Sequence, residues 1–226
     1  ESLRQLTTDQ TDMMNLVAHD LRSPLSSIRE LLRQSPDAIS ADDLQQATSI
    51  VDHTLSTVNT LLSAHRQAIA TTELVNVTYL ARQAVERQRA VAQRRHHVVR
   101  LNLDEQLWCN TDVSLVSSIL DNLIGNALKH TQQSGFITVN AQHKNDMILV
   151  SVSDTGPGIP EAVRHRLFEA YSTMAKEHVA DSLGLGLYLS KRLANRLGGT
   201  ISYSTGPHGV GSTFTLTLPA HVEQHP

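Results

Sequence analysis

The sequence is poor in cysteine, in long apolar runs and in excess charge of either sign. Cys109 is the single cysteine among 226 residues, which excludes an internal disulfide and is typical of a reducing compartment. No apolar run approaches the ~18 residues that a membrane-spanning helix needs, so we expect no membrane contact within this chain. The formal net charge of -3 gives no electrostatic reason to expect nucleic acid as a partner.

Several common nucleotide and metal motifs are also missing. The GxxxxGK(S/T) pattern of a Walker loop does not occur, and no clear Rossmann glycine pattern follows a strand. The histidines outside the first helical run, among them His96, His97 and His130, show no paired spacing of the kind that binds a metal. We therefore expect neither a P-loop protein nor a histidine-ligated metal site.

Residues from about 4 to 69 carry apolar side chains at helical spacing. One run steps by four and three residues from Met14 to Leu32, and a second keeps the same alternation from Leu44 to Ile69. Ser35-Pro36 ends the first helix, and Ser40 with Asp43 can cap the second. The pattern predicts an antiparallel helical hairpin over residues 1–71, which a homodimer would complete as a four-helix bundle.

From residue 72 to 226 the pattern changes to strands mixed with helices. A short strand is predicted near 74–77, and helices over about 78–94, 112–130 and 186–197. A hairpin through Lys144-Asn145 joins two of the five longer strands, which are Val98–Leu103, Phe136–Ala141, Met147–Ser153, Thr200–Ser204 and Ser212–Leu218. This order predicts a two-layer α/β domain with helices on one face of the sheet.

The stretch AHDLRSPL contains a histidine beside an aspartate. His19 lies one step past the apolar seam residue Ala18, and Pro24 removes an amide donor and bends the helix one turn later. A free imidazole has a pKa near ~6.5 and is mostly neutral and nucleophilic at pH 7. Asp20 could hold its tautomer and take a proton. The alternative is an ordinary surface histidine.

The stretch LDNLIGNALKHT places three polar side chains on one face of a predicted helix. Asn122 and Asn126 are four residues apart, and Lys129 follows three residues later. Amide oxygens are suitable ligands for Mg²⁺, which also takes phosphate oxygens, and lysine supplies a positive charge for those phosphates. The alternative is the polar outer stripe of an amphipathic helix.

Two glycine-containing stretches complete the candidate sites. In VSDTGPGIP, Asp154 follows a strand and could accept a hydrogen bond from the amine of adenine, while Gly156 and Gly158 allow a tight turn. The alternative is a surface turn. In SLGLGLYL, Gly184 and Gly186 precede a helix whose first amides could bind phosphate. Thr213 begins the last strand.

The order of these motifs resembles that of a bacterial sensor histidine kinase. AHDLRSPL, NLIGNALKH, DTGPGIP, LFEAYS, GLGLYLSKRL and GSTFTL are similar to the family's H box, N box, glycine boxes, phenylalanine box and final glycine-threonine stretch. The resemblance covers about residues 10 to 219. It implies an α+β chain in which the dimeric hairpin joins a two-layer ATP-binding sandwich of the gyrase and histidine-kinase (Bergerat) type.

The resemblance also implies residue roles. His19 would accept the phosphoryl group, Asp20 would assist proton transfer, and Asn126 would bind Mg²⁺. Residues 168–182 would form an ATP lid. The implied ATP-binding residues are Asn122, Asn126, Lys129, Asp154, Gly156, Gly158, Ile159, Gly184, Leu185, Gly186 and Thr213.

The function expected from this family is ATP- and Mg²⁺-dependent autophosphorylation of His19, followed by transfer to an aspartate on the receiver domain of a separate response regulator. We expect a cytoplasmic fragment of a longer protein, whose anchor would lie in the inner membrane.

Two alternatives to this function stay open. One is a nucleotide-gated interaction module that does not phosphorylate His19. The other is an ATPase resembling gyrase or mismatch-repair proteins, for which we would expect a glutamate base where Asn122 stands.

Overall fold

The computed structural model describes residues 72–169 and 186–221, together with the isolated positions 40, 44, 47, 48 and 51. Four of those isolated positions are helical, as predicted, and the amide of Leu44 donates to the Ser40 carbonyl over 3.2 Å. The rest of the predicted helical hairpin, including His19, Asp20 and Pro24, lies outside the described residues. So do Gly184 and Leu185.

Within residues 72–169 and 186–221 the structure has two sheets and five helices. The strands are β1 (Glu73–Asn76), β2 (Val98–Leu103), β3 (Trp108–Thr111), β4 (Phe136–Lys144), β5 (Met147–Asp154), β6 (Thr200–Thr205) and β7 (Ser212–Pro219). The helices are α1 (Val77–Arg87), α2 (Arg89–Arg94), α3 (Val113–His130), α4 (Glu161–Arg164) and α5 (Gly186–Arg196), with a 3-10 turn at Pro207–Gly209.

The larger sheet has five strands in the order β2-β4-β5-β7-β6. Strands β2 and β4 are parallel and the other neighbours are antiparallel, whereas β1 and β3 form a separate antiparallel pair. Because successive strand side chains point to opposite faces, the sheet has one buried apolar face and one more polar face. The buried face of its three central strands is formed by Ile137, Val139, Ala141, Ile148, Val150, Val152, Phe214, Leu216 and Leu218.

Helix α3 lies across the centre of the buried layer. Asp112 caps its first turn by accepting hydrogen bonds from the amides of Ser114 (2.8 Å) and Leu115 (3.1 Å). Ile119, Leu120, Leu123 and Ile124 are at most 1% exposed, and α1 and α5 pack against α3 on either side. The predicted layer of helices on one face of a mixed sheet is therefore confirmed for the described residues.

Two local predictions needed correction, and one strand was missed. The helix predicted over 78–94 is two helices, because the Gln88 amide bonds to the Val85 carbonyl (3.1 Å), three residues back, and ends α1. The hairpin turn is Asn145-Asp146, one residue later than predicted. Both residues have positive φ (47° and 53°), as a two-residue type I′ turn requires. Strand β3 was not predicted at all.

Among the residues that the structure describes, no helix combines the length and apolar character that crossing a membrane requires.

Candidate nucleotide site

Asp154 is a buried carboxylate at the end of β5. Its side chain is 6% exposed, and Oδ1 accepts hydrogen bonds from the backbone amides of Gly156 (2.8 Å) and Ser212 (3.3 Å). Burial raises the pKa of the Asp154 carboxyl above its ordinary value, and the two amide hydrogen bonds partly oppose that rise. Within the described part of the chain nothing donates to Oδ2, so this oxygen can accept a hydrogen bond from a ligand.

Gly156 brings the loop after Asp154 against the end of α3. A Cβ at position 156 would lie 2.6 Å from the carbonyl oxygen of His130, the last residue of α3. Only glycine therefore allows this approach. The contact puts the Asp154 carboxylate and the helix that carries Asn126 and Lys129 beside the same loop.

Gly158 and Ile159 continue that loop into the core. Gly158 has a φ of 72°, and a Cβ there would be 3.0 Å from the Gly211 carbonyl oxygen. Ile159 is 9% exposed and belongs to the apolar core. The structure thus brings Asp154, Gly156 and Gly158 together as predicted, and it adds Gly211 to them.

The C-terminal end of α3 is held by side chains from the segment before β2. Arg95 Nη1 donates to the carbonyl oxygens of Leu128 (3.3 Å) and Lys129 (3.1 Å), and His97 Nε2 lies 3.2 Å from the Leu128 oxygen. These contacts satisfy carbonyl groups that have no partner within the helix. They fix the turn of α3 from which Lys129 projects.

Asn122 and Asn126 are half-buried on α3, on the face predicted from their spacing. Asn122 does not face open space: its Nδ2 donates to Ser190 Oγ on α5 over 2.9 Å. Its Oδ1 lies 2.5 Å from where a Cβ on Gly186 would be. Asn122 and Gly186, both predicted to be site residues, are therefore direct neighbours.

Asn126 is one turn further along α3 and supplies an amide group but no charge. The described ranges contain no group of three or more His, Cys, Asp or Glu side chains that could hold a metal ion. This donor set fits Mg²⁺ only as an ion that takes most of its ligands from phosphate and water, which is the usual coordination of Mg²⁺ at nucleotide sites.

Thr213 is not on the face of the sheet where Asp154 lies. Its hydroxyl is 2.8 Å from Ser153 Oγ, directly opposite in the β5–β7 register, and both side chains point away from the helices. The neighbouring Ser212 is the residue that bonds to Asp154. It does so through its backbone amide, and the alternation of apolar residues at Phe214 and Leu216 indicates that the Ser212 side chain, unlike that of Thr213, lies on the face of Asp154.

The start of the predicted lid is packed against the sheet and α5. The Phe168 ring meets Phe214 edge-on at a centroid distance of 6.4 Å, and Lys191 Nζ lies 4.5 Å from the Phe168 ring centroid. Residues 170–182 of that lid are outside the described residues. The contacts of Phe168 therefore fix the start of the predicted lid against α5. The first residue of α5, Gly186, in turn contacts Asn122.

Comparison with known proteins places this site in a family. The family described as histidine kinase-, DNA gyrase B- and HSP90-like ATPases matches residues 111–222. The chain is 30% identical to the aerobic respiration control sensor protein ArcB of Escherichia coli over 97% of its length, and 28% identical to the adaptive-response sensory kinase SasA of Synechocystis over 98%. It spans 30% and 62% of those two proteins, respectively.

A solved structure agrees in fold. The Acinetobacter baumannii histidine kinase AdeS superposes with a TM-score of 0.67 and 21% identity, over 90% of this chain and 98% of that one. The predicted two-layer α/β fold is therefore confirmed.

Proposed function

This chain belongs to the sensor histidine kinases of two-component systems, and on that premise we propose that it binds Mg²⁺-ATP and phosphorylates its own His19. The predicted family and the predicted enzyme class, a protein-histidine kinase, are thereby confirmed. The domain boundary at residue 71, the roles of the site residues, the homodimer, the response regulator and the cytoplasmic location stay predictions.

The observation that carries the proposal is the environment of Asp154. Two backbone amides occupy Oδ1, while Oδ2 has no donor within the described residues. Keeping such a carboxylate buried costs free energy, as its raised pKa indicates. A ligand amine that donates to Oδ2 repays part of that cost. The exocyclic amine of adenine is such a donor, and the loop contact between Gly156 and His130 places α3 close by for the phosphates.

The phosphate end of the nucleotide would lie along α3. Asn126 would supply an amide oxygen to the Mg²⁺ ion, which when bound offsets phosphate charge during transfer. Lys129 would lie near the phosphate oxygens. The first turn of α5 begins at Gly186 beside Asn122, so its amides would face the same end of the nucleotide.

His19 would then act as the nucleophile. Its neutral imidazole nitrogen forms a bond to the γ-phosphorus as the bond from that phosphorus to the bridging oxygen breaks, and ADP leaves. Asp20 accepts the proton from the other ring nitrogen. The phosphoryl group passes onward to an aspartate on the receiver domain of a response regulator, and a second copy of the chain completes the helical bundle.

One labelling experiment separates this function from its alternatives. The chain is incubated with γ-labelled ATP and Mg²⁺, and the label on the protein is tested for the acid lability of a phosphohistidine. We expect acid-labile label that is lost in His19→Ala and kept in His143→Ala, a matched control at an exposed position of β4. Steady phosphate release without labelled protein would favour the ATPase. Nucleotide binding with neither label nor release would favour the interaction module.

A further inference from the structure

Helix α5 presents a stripe of small residues to its neighbours. Gly186, Ser190 and Ala194 recur every fourth residue and so share one face of the helix. Ser190 is completely buried. A buried serine within a helix commonly bonds back to the carbonyl four residues earlier. Here its hydroxyl is instead engaged by Asn122, 68 positions away in the sequence.

The amide of Asn122 is held on two sides. Nδ2 donates to Ser190 Oγ over 2.9 Å, and the rest of the amide rests on the bare Cα of Gly186, one turn earlier on α5. A Cβ at position 186 would be 2.5 Å from Oδ1 and 3.2 Å from Nδ2. The φ of Gly186 is not positive, so glycine is needed at 186 for space and not for backbone conformation.

We propose that Ser190 is a positioning residue that fixes Asn122 against the first turn of α5, so that α3 and the start of α5 form one rigid wall at the phosphate end of the nucleotide. This inference rests on the proposed function. In this inference Asn122 holds α3 and α5 in register, and Asn126, one turn away on α3, is the residue that would bind Mg²⁺. Asp154, at the adenine end, does not contact this pair.

The effect of losing the Ser190 hydroxyl should therefore depend on the phosphates of the ligand. In Ser190→Ala the affinity for a non-hydrolysable Mg²⁺-ATP analogue should fall about fivefold, the effect expected for one buried neutral hydrogen bond, while the affinity for adenosine should not change. Thr78→Val is the matched control. Thr78 lies on α1, and its buried hydroxyl donates to the backbone carbonyl of Asp104. Removing that hydroxyl should leave both affinities unchanged.

Two further variants test whether Ser190 acts through Asn122. In an Asn122→Ala background, Ser190→Ala should have no additional effect on the analogue. Gly186→Ala should reproduce the loss, even though alanine favours a helix more than glycine does, because its Cβ displaces the Asn122 amide.

The affinities are measured by displacement of a fluorescent nucleotide from the full 226-residue chain. Unchanged affinities for both ligands in Ser190→Ala, or an equal loss for both, overturn the inference, since the first shows no role and the second only a structural one. Additive effects of Asn122→Ala and Ser190→Ala also overturn it. If the unmodified chain binds neither ligand, the proposed function itself fails and this inference falls with it.

Discussion

Gly211 offers a quantitative test of how the proposed adenine site at Asp154 is built. Its φ is 73°, and a Cβ there would overlap the backbone oxygen of Asp154. Gly209, in the same loop, has a similar φ of 79° but has nothing within 4 Å of its Cβ position. The two glycines therefore share the backbone requirement and differ in whether a side chain has room.

The expected free-energy changes follow from that difference. A left-handed backbone costs a non-glycine residue about 1–2 kcal/mol, so Gly209→Ala should destabilise the chain by that amount. Gly211→Ala should lose a further ~1–3 kcal/mol for the overlap with Asp154. The same overlap pushes β7 away from β5 and withdraws the Ser212 amide from Asp154 Oδ1, a hydrogen bond that is already 3.3 Å long.

Urea unfolding and nucleotide competition together test the reasoning. The unmodified chain should bind ATP about 10–100-fold more tightly than inosine triphosphate, which lacks the exocyclic amine. Gly209→Ala should keep that preference, whereas Gly211→Ala should lose most of it. Equal unfolding free energies for the two variants, or a full ATP preference in Gly211→Ala, would show that Gly211 does not position Asp154.

Three other expected outcomes concern single residues. Without nucleotide, Asp154→Asn should be more stable than the unmodified chain at pH 7. Because burial raises the folded pKa of Asp154, the stability that this aspartate contributes is complete below its unfolded pKa and is lost as pH rises through the folded pKa. The stability advantage of Asp154→Asn should therefore grow as pH rises. Thermal unfolding at several pH values measures it, and an advantage that shrinks as pH rises would contradict the reasoning. Asn126→Ala should slow labelling about tenfold or more and require more Mg²⁺, with adenosine affinity unchanged; an unaltered Mg²⁺ requirement would remove Asn126 as a ligand. Pro24→Ala should change autophosphorylation more than ATP affinity, and equal labelling rates would contradict a role for the bend.

The sequence was most informative where one face of an element is buried. Strands β4, β5 and β7 alternate apolar and polar residues because only one side of the sheet meets the helices, and their bounds were predicted to within a few residues. Strand β3 has four residues and pairs with a strand over 30 positions earlier, so no local pattern marks it. The break between α1 and α2 at Gln88 carries no glycine or proline and was equally invisible.

In the candidate site, too, local patterns were predictable and contacts between residues distant in sequence were not. The proximity of Asp154, Gly156 and Gly158 could be predicted because they are close in sequence; their role in binding stays a prediction. The contact of Asn122 with Ser190 joins two helices, and no spacing in the sequence indicates it. Thr213 was predicted from its place in the motif, and strand parity puts its side chain and that of Ser212 on opposite faces of the sheet.

The central claim is that the nucleotide selected at Asp154 is the one that phosphorylates His19, and one labelling measurement tests both halves at once. Asparagine at position 154 would present an amide donor where Oδ2 accepted, which suits the 6-oxo group of inosine triphosphate and repels the amine of ATP. With γ-labelled nucleotides, the unmodified chain should be labelled from ATP and poorly from inosine triphosphate, Asp154→Asn should reverse that order, and His19→Ala should abolish both signals. Labelling of Asp154→Asn from ATP at the unmodified rate, or label that survives His19→Ala, would contradict the account.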